Sequence, residues 1–586
     1  MGKKQRTIAK KTAGRVQPAP GRKRAVTSPG GMMWAFLVAG ITAITFIPML
    51  QNGFTNWDDE YYIIQNQLLR GPDWAGIFTT PVVSNYHPFT IITLAINYAI
   101  SGTDAWSYHL LNLLLHAANT FLVFVFIFRI SGKNAVIAAF TALVFGLHPM
   151  HVESVSWASE RKDVLYTFFF MLSLIRYWTY LERGKSSALA VSLVFFACSL
   201  LSKPAAIVLP LVLVLLDYWH SGTVTRRQLL VKLPFFFLSL LFAVITLRLQ
   251  SETAMVHLDA YPLWERLLIA CYTVMTYLLR FFIPYPLSAY HPFPPSGNLG
   301  WQVYLAPLFV AALGVVLWLS RKNRPVVFSL LFFLVNIALV VQIISIGFTV
   351  VAERYTYVAY IGPAFFLGHL VSRYARVARV RTMAVTAVVL VIFAIISYNR
   401  TMTWRDSDTL WTDVISHYPE ESLPRADRAQ YLYNQAIQMQ PAEAVPHFQR
   451  IIGDCTVAIR NQEDPAHPDS RKGGTSLYNM RGTSFYLLGD FENAYRDFSS
   501  SLAINPYDPN ILNYRGTILF NTRKDYKSAL ADFTRAVEIT PHADYLLNRS
   551  RCFFMLQQPD AARADALSAR EKGAVISPDY LKLLQL

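Results

Sequence analysis

Cysteine and charge are what this sequence has least of. Four cysteines in 586 residues, Cys198, Cys271, Cys455 and Cys552, show no paired spacing, so neither a disulfide framework nor a thiolate zinc site is implied, and a Cys455–Cys552 pair in an oxidising compartment stays open. Charged residues make up 15% of the chain against 53% hydrophobic ones, too few for a protein that is soluble throughout and typical of a membrane protein with a soluble part. Acidic residues are outnumbered, 37 to 53, giving a formal charge of +16. That excess is not a nucleic-acid footprint, because nine of the basic residues fall in the first 24 positions and most others border apolar runs. No nucleic-acid partner is expected.

Residues 1–32 lack the apolar side chains needed to pack and are expected to form a disordered basic cytoplasmic tail. The apolar run at about 33–50 lacks a small-x-small cleavage site and is longer than a secretory h-region, so it is expected to stay as a span. Further spans are expected at about 108–129, 134–147, 164–181, 187–201, 205–217, 233–249, 302–320, 326–345, 356–372 and 381–398, several of them below the ~20 residues of an upright crossing. Pro88 to Ile100 is placed on the outer surface. With the N-terminus inside, the basic loops face the cytoplasm if the segment 265–283 does not cross. That choice gives about 11 spans and an outer, periplasmic or luminal C-terminal region. A bacterial inner membrane and an ER membrane fit equally.

The outer loops collect the polar residues. Trp57-Asp58-Asp59-Glu60 follows the first span, and later loops bring His148, His151, Glu153, Glu160, Arg161, Lys162, Asp163, Lys203, Glu353 and Arg354. Polar groups at membrane depth are costly unless they pair or line a wet cavity. Carboxylates set against cations suit group transfer from a lipid phosphate: a carboxylate takes the proton of an attacking hydroxyl, and Arg or Lys stabilises the departing phosphate. Blander readings stand beside this one. His148 and His151, three apart, lack a defined third metal ligand. Glu153 and Glu160 could pair with Arg161 or Lys162, Lys203 could snorkel, and Arg354 could pair with Glu353.

Beyond residue 400 the apolar runs stop. Arg481, Arg515 and Arg549 recur every 34 residues, each followed by a small residue, Gly482, Gly516 or Ser550, with Ala494, Ala529 and Ala562 downstream. This is the tetratricopeptide pattern. The expected fold class is therefore all-α, a polytopic membrane helix bundle followed by a soluble α-helical repeat domain. Its expected divisions are the tail 1–32, a transmembrane domain 33–399, a linker with a degenerate helical region 400–474, and repeats 475–586.

Several ordered pieces carry a family resemblance. They are Phe54, Asp58, Asp59, Ile64 and Asn66; Tyr86-His87-Pro88 with Thr90; Asn97-Tyr98; Ser107-Tyr108-His109-Leu110-Leu111-Asn112 with His116; His148-Pro149, His151 and Glu153; Leu201-Ser202-Lys203; and Glu353-Arg354 with Tyr357. Together with the trailing repeats they resemble the TMTC group of membrane O-mannosyltransferases. The resemblance implies a GT-C glycosyltransferase fold, a polyprenyl- or dolichyl-phosphate sugar donor, mannose-like, and inversion at the anomeric carbon. It also implies a luminal or periplasmic site whose base lies in the acidic pair, Asp58 ahead of Asp59. Donor or substrate binding is expected from His87, His148, His151, Glu153, Arg161, Lys162, Lys203 and Arg354, with a protein acceptor or partner held by the repeats. No cofactor and no metal ligand set is fixed, although a divalent cation is compatible with the chemistry. Two other classes compete: a polysaccharide polymerase or O-antigen-ligase-like enzyme, and a non-enzymatic scaffold or transporter that displays repeats.

Overall fold

A computed structural model of the chain describes residues 29–71, 73–250, 261–343, 349–463 and 474–586. Most of the expected tail lies outside the described residues, and its last four positions open the helix Pro29–Phe46. The described chain is helical apart from a single isolated bridge between Val82 and Asn85.

Among the described residues six helices are long and apolar enough to cross a bilayer: Gly31–Gln51, Trp106–Ile130, Ala158–Arg183, Pro204–Ser221, Trp301–Leu319 and Arg379–Thr403. The pair Ala135–Leu147 and Pro149–Ser156, bent by 56°, makes a seventh if taken as one broken span. The protein is thus an all-α polytopic membrane protein with a soluble helical region behind it. Shorter apolar helices are Pro88–Ser101, Ser186–Ser202, Leu233–Leu249 and Arg324–Ile337.

Proline sets the breaks that matter. A residue before proline is driven to extended backbone, and proline itself opens a helix readily. His148 (ψ 127) precedes Pro149, Lys203 (φ −156, ψ 128) precedes Pro204, and His87 (φ −150) precedes Pro88, each proline starting a new helical segment. Irregular backbone at membrane depth is tolerated only inside protein or along a wet cavity. All three of these breaks are buried or nearly so.

The segment 265–283 forms part of the helix Leu263–Phe282, with one buried face carrying Glu265, Thr273, Tyr277 and Arg280. Arg266 near its start donates to Ile343 O (3.2 Å), and Arg280 near its end is bonded to His291 (2.8 Å), whose carbonyl accepts from Val350 N (2.9 Å). Both ends of this helix therefore meet the connection that follows Arg324–Ile337. Elsewhere, Tyr218 Oη donates to Arg321 O (3.2 Å).

The soluble region stacks helical hairpins: Ser422–Ala436 with Pro441–Glu463, Gly474–Leu487 with Phe491–Ile504, Pro509–Asn521 with Tyr526–Ile539, and Ala543–Met555 with Pro559–Glu571. The periodic arginines have a common job. Arg481, Arg515 and Arg549 each reach across a hairpin to both carboxylate oxygens of an aspartate, Asp497, Asp532 and Asp565, at 2.6–2.8 Å. Arg428 repeats the fork on Asp454 in the first, degenerate hairpin. The small residues let the helices cross: a Cβ on Gly516 would lie 2.8 Å from the Phe533 ring. Gly516→Val should therefore destabilise the array by ~1–3 kcal/mol through overpacking, despite valine's better helix propensity. Thermal unfolding and limited proteolysis of the full chain would register this, and an unchanged transition would show that the crossing has slack.

Candidate active site

The acidic loop is held from two sides. From the soluble side, Gly53 N donates to Arg405 O (2.8 Å) and Asn52 Nδ2 to Thr401 O (2.9 Å). Asn56 is saturated by the linker: its N–H donates to Ser407 Oγ (2.8 Å), its Nδ2 to Asp427 O (2.7 Å), and its Oδ1 accepts from Trp411 Nε1 (2.8 Å). From the membrane side, Trp57 stacks on Trp157 (4.8 Å between ring centres); from the soluble side it leans on Trp411 (5.1 Å), and Trp157 stacks on Trp404 (5.3 Å). Four indoles, Trp57 and Trp157 from loops of the membrane region and Trp404 and Trp411 from beyond residue 400, thus form one continuous packing unit beside Asp58.

The two aspartates have separated environments. Asp59 is buried and accepts from Thr55 N (2.9 Å), Thr55 Oγ1 (3.1 Å) and Ser159 N (2.8 Å), tying its own turn to the loop before Arg161. Burial outweighs those bonds and lifts its pKa from the ordinary 3.8 to about 6. Between those two values the folded chain keeps a proton that the unfolded chain has released. Stability from Asp59 should therefore fall as pH rises from 3.8 to about 6 and stay flat above. Thermal unfolding across that window, with and without Asp59→Asn, would check it; the same slope in both proteins would assign it elsewhere. Asp58 keeps a side chain 25% exposed and meets one cation, Lys162 Nζ, at 3.3 Å.

Behind Asp58 three cations converge on one carboxylate. Glu160 lies 3.2 Å from Lys162 Nζ, 3.3 Å from Lys203 Nζ and 3.4 Å from Arg354 Nε. Lys203 is also bonded to Asp163, and Arg354 pairs with Glu153, which additionally accepts the Arg354 backbone N–H (3.0 Å). Ser154 Oγ donates to Asp163 Oδ2 (3.0 Å). Lys203 therefore turns inward rather than snorkelling, and the partner of Arg354 is Glu153, not its neighbour Glu353. Glu353 accepts from Ser288 N (2.6 Å), and burial pushes its pKa up. Lys162 also lies over the Tyr62 ring (4.6 Å).

His87 borders the same cations. Burial, with the Lys162 and Lys203 charges, drives its pKa down to about 3, so the imidazole is neutral. Its Nε2 is buried without a hydrogen-bond partner among the described residues. His148 and His151 point away from the cluster: His148 Nε2 is bonded to Phe281 O (3.0 Å) and its Nδ1 accepts from Met150 N (3.2 Å), while His151 Nδ1 is bonded to Phe145 O (2.7 Å). Arg161 is buried and turned to neutral acceptors, Asn112 Oδ1, Asn97 Oδ1 (3.0 Å) and Tyr108 O (2.8 Å). It fixes the loop to the helix Pro88–Ser101 and to Trp106–Ile130. Among the described residues no group of three or more His, Cys, Asp or Glu side chains is arranged to hold a metal ion.

Asp58, Lys162, Lys203, Arg354, Glu153 and His87 are thus brought together, whereas Asp59, Arg161, His148 and His151 frame them. Sequence reasoning placed Glu160 and Asp163 in the polar loop but assigned neither a binding role, because Glu160-Arg161-Lys162-Asp163 also reads like a surface ion-pair run. It also gave the linker no part in holding the acidic loop. The only signal there was the pair of tryptophans, Trp404 and Trp411.

No family model matches the chain. Part of its sequence is homologous to the TMTC proteins. It is 30% identical over 178 residues to Protein O-mannosyl-transferase TMTC1 of Homo sapiens (28% of this chain, 20% of that protein). The identity is 36% over 132 residues with TMTC2 of Homo sapiens (21% and 16%) and 30% over 208 residues with Tmtc2 of Drosophila melanogaster (32% and 22%). The chain spans about a fifth of the length of these curated relatives. Among solved structures, ArnT from Cupriavidus metallidurans bound to undecaprenyl phosphate aligns over 82% of this chain and 81% of its own, at 13% identity and a TM-score of 0.38. At that level two helical membrane proteins need not share a fold.

Proposed function

We propose that this chain is an integral-membrane glycosyltransferase of GT-C type. It moves a mannose-like sugar from a polyprenyl- or dolichyl-phosphate donor to a hydroxyl of a protein acceptor, inverting the anomeric carbon. The observation that carries this reading is the convergence of Lys162, Lys203 and Arg354 on Glu160, with a partly exposed Asp58 held at the rim by one of those cations. In the reaction the acceptor oxygen bonds to the anomeric carbon, the carbon–phosphate oxygen bond breaks, and the hydroxyl proton passes to Asp58. Charge gathers on the leaving phosphate, where Lys162, Lys203 and Arg354 stabilise it. The neutral His87 is the group available to bond an uncharged sugar hydroxyl. Glu153 holds Arg354, Asp59 and Arg161 hold the loop, and His148 and His151 support the helix break behind it.

Counting the shorter helices Ser186–Ser202, Leu233–Gln250, Arg324–Ile337 and Ile361–Tyr374 as crossings gives about 11 spans. The two-ended attachment of Leu263–Phe282 to one connection supports a helix that does not cross. On that reading the N-terminus is cytoplasmic, and the linker 400–474 and repeats 475–586 share the periplasmic or luminal face with Asp58.

Purified protein incubated with a Ser/Thr-containing polypeptide acceptor and labelled polyprenyl-phosphate mannose, and separately with the glucose donor, tests the reading. Time-dependent release of polyprenyl phosphate from one of them is expected, and no release from either would sink it.

A further inference from the structure

The helix Ser407–His417 joins the acidic loop, the soluble region and the last span, and its sequence assigns each a different set of side chains. Residues four apart share a face of a helix. Ser407 and Trp411, both fully buried, turn to the acidic loop: Ser407 Oγ accepts the Asn56 N–H, and Trp411 Nε1 donates to Asn56 Oδ1. Asp408 and Thr412, one step further on, turn to the first helical hairpin. There Arg450 donates to both Asp408 carboxylate oxygens (2.5 and 2.8 Å), and Arg428 donates to Thr412 Oγ1 (2.9 Å). Asp413 accepts from Arg400 Nη1 (2.6 Å) at the end of the helix Arg379–Thr403. The helix is thereby anchored to both the bundle and the soluble region.

We infer that this helix is a positioning element of the transfer reaction: it holds Asp58 at its working distance from the cations, with Ser407 and Trp411 as the positioning residues. This rests on the glycosyltransferase reading above. Both act through Asn56 and Trp57, the two residues before Asp58. The same indole packing reaches the cations. Trp57 stacks on Trp157, and over the Trp157 ring lie the Arg354 guanidinium (5.6 Å) and Lys162 Nζ (5.8 Å). Trp157 is therefore a common reference for base and cations, and Trp411 packs the base side against it. The ion pair between the partly exposed Asp58 and Lys162 is too weak to fix a side chain alone. The geometry of the base must come from the backbone that carries it, and that backbone is bonded to the helix. The soluble region thus belongs to the catalytic apparatus although its residues stand behind the reacting groups.

Trp411→Phe keeps an aromatic ring but loses the N–H, and Ser407→Ala loses the acceptor; both are measured in the full chain with sugar donor and polypeptide acceptor. Each should lower kcat by ~10–100-fold, the scale of misplacing a reacting group by about an ångström, and leave the donor KM within ~3-fold. In the Asp58→Asn background the same substitutions should cost less than ~2-fold further, because no base is left to place. A purely structural loss would multiply equally in both backgrounds and would overturn the inference, as would wild-type kcat in both variants. Should Trp411→Phe fail to fold, Ser407→Ala carries the test. Amide hydrogen exchange over residues 53–60 gives a reading independent of turnover. It should rise by ~10-fold in both variants, and unchanged exchange would also overturn the inference. If the unmodified chain turns over neither donor, the enzyme reading falls, and raised exchange then shows that the helix holds the loop without serving this reaction.

Discussion

Asp58→Asn should reduce sugar transfer by ~10²–10⁴-fold, the contribution of a positioned general base, while the protein still inserts and unfolds at nearly the same temperature. The expectation follows from how differently the two adjacent aspartates are used. Asp59 is buried under three hydrogen bonds, so its replacement puts an amide –NH₂ against N–H donors and damages the loop. Asp58 has one ion-pair partner at 3.3 Å and a side chain 25% exposed, and a pair of that kind contributes ~1 kcal/mol or less. Loss of turnover in Asp58→Asn with an unshifted thermal transition would therefore report chemistry, and loss of both would report architecture. Full activity would remove Asp58 from the reaction and, with it, the proposed mechanism.

Much of this arrangement was legible in the sequence for simple physical reasons. Apolar runs mark the helices because nothing else satisfies backbone groups in a bilayer, and expected spans such as 108–129 and 164–181 lie within helices that extend a turn or less at most ends. His87-Pro88, His148-Pro149 and Lys203-Pro204 announced breaks, since proline must open a new segment wherever it interrupts such a run. The 34-residue arginine period was visible, but its cause was not: the partner aspartates sit 16 or 17 residues on, across a turn. Two things could not be read. The sequence does not say which of several charged neighbours turns inward, because Glu160, Arg161, Lys162 and Asp163 differ by one helical step each. Nor does it say that a linker about 350 residues downstream holds the acidic loop, as Asn56 with Ser407 and Trp411 does, because such a contact exists only after the bundle has folded.

Glu160→Gln should be the most disruptive single change in the cluster, costing ~3–5 kcal/mol of stability, the usual result of removing one partner from a buried ionic network. Glu160 is fully enclosed and is the one carboxylate that Lys162, Lys203 and Arg354 share. Its removal leaves Lys162 with Asp58 alone among the nearby carboxylates, Lys203 with Asp163, and Arg354 with Glu153. Each cation then follows its remaining partner, and Lys162 should bind the base more tightly than the phosphate. Turnover is expected to fall by ~10²-fold, the scale associated with misplacing a reacting group by about an ångström. The donor KM should not rise, because the variant removes a negative charge beside the phosphate seat. Glu160→Asp, which keeps the charge on a shorter arm, should recover part of the stability and less of the turnover. Steady-state kinetics alongside thermal unfolding separate these outcomes. A Glu160→Gln protein with wild-type turnover and melting would mean that Glu153, Asp163 and Asp58 suffice to hold the three cations, and that the shared carboxylate is incidental.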